Sequence, residues 1–219
     1  MNAMSFDRNA VSLPAPRSPS TIADVTVGLR KRQALICVDC RDQYYLRVLR
    51  GALRVVRPLA DGRRQITDFL FPGDWLGLDE VREYNASIEA VVASRLELLS
   101  PRSLEFRAAQ DGADAVGPES LFKARLHAAQ DRILVLGRKN ARQKLAAFLL
   151  EISDRLAEGG NSISLPMSRC DIGDYLCLTA ETVCRNFSQL VADGIIALPS
   201  ASQVRVLRRN VLEFIGSDQ

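Results

Sequence analysis

Apolar and polar positions change rhythm along this chain, and the changes divide it. Over residues 34–100, β-branched and aromatic residues come in short runs broken by turn chemistry, the mark of strands. Residues 44–50, 52–57 and 64–71 form three such runs. Gly51 separates the first two, and Asp61-Gly62 favours a tight reversal between the second and third. Pro72-Gly73-Asp74 turns the chain, and Trp75-Leu76-Gly77, residues 87–92 and residues 95–100 complete the series. Many short strands at this spacing predict a jelly-roll β-barrel. Beyond Pro101 the period becomes helical. Phe122, Leu126, Ala129, Ile133 and Leu136 recur at alternating steps of four and three, a seam suited either to pairing with a second copy or to packing on the barrel of the same chain. Gly137, followed by Arg138-Lys139-Asn140, interrupts the pattern and marks a boundary before an amphipathic helix over residues 141–156. Gly159-Gly160-Asn161-Ser162 ends that helix, and Ile163-Ser164-Leu165 suits a short strand.

The last quarter carries the chemistry. Ser168 followed by Asp171 suits a helix N-cap and its reciprocal acid. Ile172, Tyr175 and Leu176 give that helix an apolar face, and Gly173 leaves room for a close crossing. Cys177-Leu178-Thr179 is a turn whose Thr179 can cap a second helix over residues 180–193. Val183, Phe187, Leu190 and Val191 line one face of that helix, and Glu181, Cys184, Arg185 and Ser188 another. Two short helices joined by a tight turn, the second polar outside, make the helix-turn-helix that enters a DNA major groove. Arg offers two donors to guanine and a carboxylate accepts from cytosine, so Glu181 and Arg185 suit neighbouring base pairs. The plain alternative is an exposed ion pair one turn apart. Residues 195–198 and 203–207 straddle Pro199-Ser200-Ala201-Ser202 as a hairpin wing, where Arg205, Arg208 and Arg209 are placed for phosphate.

Charge and composition add limits. The net charge of +3 is small, but residues 123–144 hold Lys123, Arg125, Arg132, Arg138, Lys139, Arg142 and Lys144 against Asp131 alone. That run suits phosphates or a solvated helix face. Five cysteines (Cys37, Cys40, Cys170, Cys177, Cys184) without an export signal argue for reduced thiols in the cytoplasm. No apolar run is long enough for a membrane span, and residues 1–22 suit a flexible lead-in. An enzyme needs parts that are missing here. His127 sits on the seam helix, and no phosphate loop, nucleophile elbow or metal-ligand set is visible. No catalytic residue, cofactor or metal is expected. An interaction module docking a protein through the barrel remains a rival class.

Three stretches resemble the cyclic-AMP receptor protein and FNR superfamily of bacterial regulators, especially its FixK-like branch. They are Asp61-Gly62-Arg63-Arg64-Gln65-Ile66 with Phe71-Pro72-Gly73-Asp74-Trp75-Leu76-Gly77-Leu78, Leu136-Gly137-Arg138-Lys139 with Ala146-Ala147-Phe148-Leu149-Leu150, and Leu165-Pro166-Met167-Ser168-Arg169 through Glu181-Thr182-Val183-Cys184-Arg185. The resemblance implies an α+β protein: a flexible start (1–22), a jelly-roll sensor-like domain (23–117), a dimerisation helix (118–137) and a winged helix-turn-helix (138–219). It further implies a homodimer on two-fold symmetric double-stranded DNA that recruits RNA polymerase. In FNR-like members a Glu-x-x-Ser-Arg pattern reads TTGAT-type half-sites, and Glu181 and Arg185 match it, with Cys184 in the serine position. Ser168, Arg169, Thr179, Thr182, Ser188 and Arg205 are the expected backbone contacts. Phe122, Leu126, Ala129, Ile133 and Leu136 are the expected dimer seam.

Departures from the family matter too. Cyclic-AMP binders carry an Arg followed by Ser or Thr where this chain has Ala86-Ser87-Ile88-Glu89-Ala90, so no cyclic-AMP response is expected. Cys37 and Cys40 are too few for a four-ligand iron-sulfur cluster and suit a zinc half-site, a redox pair or incidental thiols. Cys184 beside Arg185 is either an oxidation target or a tolerated exchange. Cys177 replaces a usual turn glycine, and Asn186 a usual apolar residue. A barrel that senses another small molecule is the alternative form of the regulator.

Overall fold

The computed structural model describes residues 10–12, 25–36, 44–111, 116–156 and 161–217. Cys37 and Cys40 lie outside these described residues. The chain divides into two units, Met1–Arg125 and Leu126–Gln219.

The first unit is built from β1 (Ala10–Ser12), β2 (Val25–Leu29), β3 (Ala34–Ile36), β4 (Tyr45–Arg50), β5 (Leu53–Pro58), β6 (Arg64–Leu70), β7 (Trp75–Gly77), β8 (Ser87–Ala90) and β9 (Ser94–Leu99). They form two sheets, of order β1-β3-β8-β5-β6 and β2-β9-β4-β7. Leu46, Leu53, Ile88, Leu96 and their neighbours point inward as a closed core. Each such side chain contributes about 1.5–3 kcal/mol through burial. The β5–β6 hairpin runs from Leu53 opposite Leu70 to Pro58 opposite Arg64. At its tip Gly62 takes φ +82°, and Asp61 accepts a hydrogen bond from the Arg63 backbone N–H at 3.0 Å. That bond helps hold the exposed Asp61 carboxyl below its usual range. Part of the start expected to be flexible is ordered by pairing, since β1 lies parallel to β3 with Ala10 opposite Ala34.

Two helices of this unit are short. α1 (Leu78–Glu83) buries only Leu78, so the residues DEVRE carry no apolar period to announce it. α2 (Pro101–Asp111) starts with proline at its first position, and the Ser100 Oγ accepts from the Ser103 N–H at 3.1 Å.

α3 (Pro118–Arg138) crosses the division between the units and has no buried residue. In its first turns, still in the first unit, the Arg125 guanidinium donates to Glu80 at 2.8 Å and Asp68 at 3.1 Å. Gly137 does not interrupt the helix, because its surroundings are open and its backbone stays helical. The break falls one turn later, where Asn140 Oδ1 accepts from the N–H groups of Arg142 and Gln143 and starts a new helix.

That helix, α4 (Ala141–Leu156), buries Leu145, Ala146, Phe148, Leu149 and Ile152. The second unit continues with β10 (Ser162–Ser164), α5 (Arg169–Leu176), α6 (Ala180–Ala192), β11 (Ile196–Ser200), β12 (Gln203–Val206) and α7 (Arg209–Gly216). Its sheet has the order β10-β12-β11. α7 corrects the reading of Arg209 as a phosphate contact. Arg209 opens a helix and is held by Asp154 at 2.6 Å and Glu213 at 2.8 Å. The packing is close enough that a Cβ on Gly216 would lie 3.2 Å from the Ala147 nitrogen.

Candidate nucleic-acid interface

α5 begins as its sequence requires. Ser168 caps it, accepting from the Asp171 N–H, while the Asp171 carboxylate accepts from the Ser168 N–H at 3.0 Å and from its hydroxyl at 2.8 Å. The turn after α5 is tight: a Cβ on Gly173 would lie 2.6 Å from the Leu178 carbonyl oxygen, and the Leu178 N–H donates to the Gly173 carbonyl at 2.9 Å. Cys177 takes φ 55° in the left-handed region, where a side chain costs about 1–2 kcal/mol. This is the physical content of its departure from glycine. Thr179 then caps α6, its Oγ1 accepting from the Thr182 N–H at 3.1 Å.

α6 buries Val183, Asn186, Phe187 and Leu190. Asn186 is satisfied there because its Nδ2 donates to the Thr182 carbonyl at 2.8 Å. Val191 was expected on the buried face but is 39% exposed; the helix rotates it past the edge of the core.

The opposite face of α6 carries Glu181, Cys184, Arg185 and Ser188, all exposed. Glu181 and Arg185 form no ion pair with each other or with any other described residue, so the ordinary i,i+4 bridge is not made. Both are left with full hydrogen-bonding capacity. The Ser188 hydroxyl donates back to the Cys184 carbonyl at 3.1 Å, and the Thr182 and Thr179 hydroxyls lie 2.9 Å apart.

Arg169 has inward partners that its sequence neighbours did not suggest. Its guanidinium lies 3.5 Å from the centre of the Phe187 ring and donates to the Ala201 carbonyl at 3.3 Å. It thereby joins α5, α6 and the wing. Burial lowers its pKa from the ordinary value, opposed by the Cys184 sulfur.

The wing departs from expectation in its turn. β11 runs on through Pro199 to Ser200, leaving Ala201 and Ser202 to reverse the chain. Pro199 is tolerated because β11 is an edge strand with a register shift between Ala197 and Ser200. Arg205 on β12 is exposed.

The basic run is largely consumed within the protein. Lys123 pairs with Glu119, Arg125 with Asp68 and Glu80, and Arg142 with Asp193 at 2.6 Å. Lys139 donates to the Gly216 carbonyl, and the Arg132 guanidinium lies 4.1 Å over the Tyr175 ring. Its phosphate-facing reading is therefore replaced by a structural one. The Arg142–Asp193 link, which ties α4 to the end of α6, joins residues 51 positions apart and leaves no local signal in the sequence.

On the expected dimer seam Phe122, Leu126 and Ile133 are 65%, 47% and 69% exposed. Ala129 is exposed, and Leu136 is only half-exposed. Leu134, which sequence periodicity left out, is exposed as well. No helix among the described residues is long and apolar enough to cross a membrane.

Residues 143–215 match the family model of the Crp-like helix-turn-helix domain. The chain is 38% identical over 174 residues to the nitrogen fixation regulation protein FixK of Azorhizobium caulinodans, covering 78% of this chain and 70% of that protein. It is 34% identical over 200 residues to the protein of the same name from Rhizobium meliloti, covering 91% and 89%. The solved structure of FixK2 from Bradyrhizobium japonicum superposes with a TM-score of 0.76 at 34% identity, covering 90% of this chain and 100% of that one.

Proposed function

The chain belongs to the CRP/FNR family of DNA-binding transcription activators, in its FixK-like branch, and from that premise we propose which DNA it reads and with which residues. Two copies bind a duplex carrying inverted TTGAT-type half-sites. Arg185 presents its two parallel donors to the half-site guanine, and Glu181, one turn earlier on α6, accepts from the amine of the half-site cytosine. Cys184 lies between them. Ser168, Arg169, Thr179, Thr182, Ser188 and Arg205 meet phosphates around the groove, and contacts of that kind set register more than sequence. α3 supplies the dimer contact through Phe122, Leu126, Ala129, Ile133 and Leu136, which sets the half-sites about one helical turn apart. The bound dimer recruits RNA polymerase.

One observation carries this reading. The acid and the guanidinium on the outer face of α6 are exposed and unpaired among the described residues, while everything beneath them is fixed by caps, a close glycine crossing and buried apolar side chains. Because the helix beneath is already fixed, the ordering cost of binding falls on these side chains alone.

Binding of the purified protein to a labelled TTGAT-N4-ATCAA duplex tests the proposal. Arg185→Ala weakens it by about 1–3 kcal/mol, or roughly tenfold to a hundredfold, and relaxes preference at the guanine. Undiminished binding by that variant overturns the assignment of the reading helix.

A further inference from the structure

The turn of the wing is weakly fixed by its own hairpin. The β11–β12 register shifts between Ala197 opposite Arg205 and Ser200 opposite Gln203, and Pro199, within that shift, has no N–H to give to a ladder. A bulge of this kind bends its strand and interrupts pairing. Where the Ala201-Ser202 turn points therefore depends on ties from outside the hairpin.

Two such ties are present among the described residues. The Leu165 N–H, after β10, donates to the Ser202 carbonyl at 2.7 Å, and Nη2 of Arg169 donates to the Ala201 carbonyl at 3.3 Å. Only the second reaches the reading helix. The Arg169 guanidinium lies 3.5 Å from the centre of the Phe187 ring, and Phe187 is held on the buried face of α6. At its own root Arg169 opens α5, whose start is locked by the reciprocal Ser168–Asp171 cap. One side chain thus stands on α5, lies on a ring of α6 and holds the turn between β11 and β12.

Arginine suits this task better than any other cation. Its planar group can lie flat on an aromatic face while the edge still offers N–H groups to a carbonyl. A charged donor also makes a hydrogen bond roughly twice as strong as a neutral one. A lysine ammonium, a compact point charge, does not combine the two.

We propose, resting on the reading of duplex DNA by α6 and the wing, that Arg169 is a positioning residue: it sets the wing against α6 so that Arg205 reaches backbone phosphate while Arg185 is seated in the groove. The role differs from a phosphate contact by Arg169 itself in one consequence, which is that the worth of Arg205 depends on Arg169. Independent contacts add in free energy, and residues that act through one another do not. α6 has no such dependence, because the Thr179 cap, the close Gly173 crossing and its buried side chains hold it.

A double-mutant cycle on the TTGAT-N4-ATCAA duplex tests the proposal. Affinity is measured against salt for the native chain, Arg169→Met, Arg205→Ala and the double variant. Methionine keeps an unbranched stem over the Phe187 ring but cannot donate. In the native chain Arg205→Ala is expected to lower the salt slope by about 0.9 for each copy bound. In the Arg169→Met background the same change is expected to remove little further slope, with a coupling of at least about threefold in affinity. Arg169→Lys, which keeps the charge without the planar fork, is expected to devalue Arg205 in the same way. Arg169 is only half-buried, so each variant is expected to keep a native circular dichroism spectrum. Arg169→Met combined with Arg185→Ala is the control and is expected to be additive. Additive costs of Arg169 and Arg205, or full worth of Arg205 beside Arg169→Lys, overturn the proposal and leave Arg169 as a separate phosphate contact. Coupling to Arg185 of equal size also overturns it, since that pattern marks a general loosening of the unit. If Arg185→Ala or Arg205→Ala costs nothing in the native chain, the reading of DNA fails and the positioning role falls with it, a pattern distinct from additivity.

Discussion

Individual residues decide what this protein does at the DNA surface, and Cys184 shows how closely function and regulation sit together. Its thiol is exposed on the reading face of α6 and acts electrostatically on the half-buried Arg169 guanidinium. Oxidation of a thiol at that position sets bulk or negative charge against phosphate. We predict that mild peroxide lowers DNA binding of the native protein by at least about tenfold, by the loss of one such contact, and that dithiothreitol restores it. Cys184→Ser is expected to bind in both conditions, while Cys170→Ser remains sensitive. Equal inactivation of Cys184→Ser places the effect elsewhere. The capping residues Ser168, Asp171 and Thr179 were legible in the sequence because capping is local: donor and acceptor lie within three positions. The role of Arg169 was not, since its partners Phe187 and Ala201 are 18 and 32 positions away and only the folded unit brings them together.

Elements were legible where their faces differ in polarity. The strands β2, β4 and β5 and helices α4 to α6 have a buried and a more exposed side, so their period shows in the residues. α1 gives no such warning, being six residues long with one buried position, and α7, amphipathic but only eight residues long, is too short for its period to stand out. Gly137 misled for another reason. A single glycine in an open helix costs about 1 kcal/mol relative to alanine, less than the continuous hydrogen bonding around it supplies. α3 itself has an apolar stripe none of whose residues is buried, which a second copy would cover. Ile133→Asp puts a charge on the most exposed large side chain of the seam. Because that side chain has no core to lose, the variant is expected to fold with an unchanged circular dichroism spectrum, to sediment as a monomer, and to bind the two-half-site duplex far more weakly than native protein. A variant that still sediments as a dimer removes α3 from the interface.

At the scale of the whole molecule, the second unit contains the residues that match the Crp-like helix-turn-helix domain, and the first is a two-sheet roll. Residues 86–90, where the resemblance to cyclic-AMP binders would place an anchoring cation, carry Glu89 on β8, whose carboxylate is held by Arg54 at 2.6 Å with both side chains largely covered. An incoming phosphate meets that acid and would have to break the pair. Millimolar cyclic AMP is therefore expected to leave both the melting temperature and the DNA affinity unchanged. A ligand at a hundred times its dissociation constant would add about 2.7 kcal/mol of stability, so even a modest affinity would be visible as a rise in melting temperature, and such a rise would contradict this reading of the roll. The jelly-roll architecture was legible because short runs rich in apolar and β-branched residues are separated by turn residues. Those runs could not show that residues 28–32, 50 and 95 share one end, which depends on cross-strand register.

The central claim is that the guanidinium of Arg185 sits on the major-groove edge of the half-site guanine. Dimethyl sulfate probing of guanine N7 on the TTGAT-N4-ATCAA duplex tests it at the atom concerned. Native protein is expected to protect the guanine of each half-site, and Arg185→Ala to leave it reactive at concentrations that restore occupancy. Guanines that remain fully reactive under saturating native protein, or that stay protected when Arg185 is gone, contradict the account.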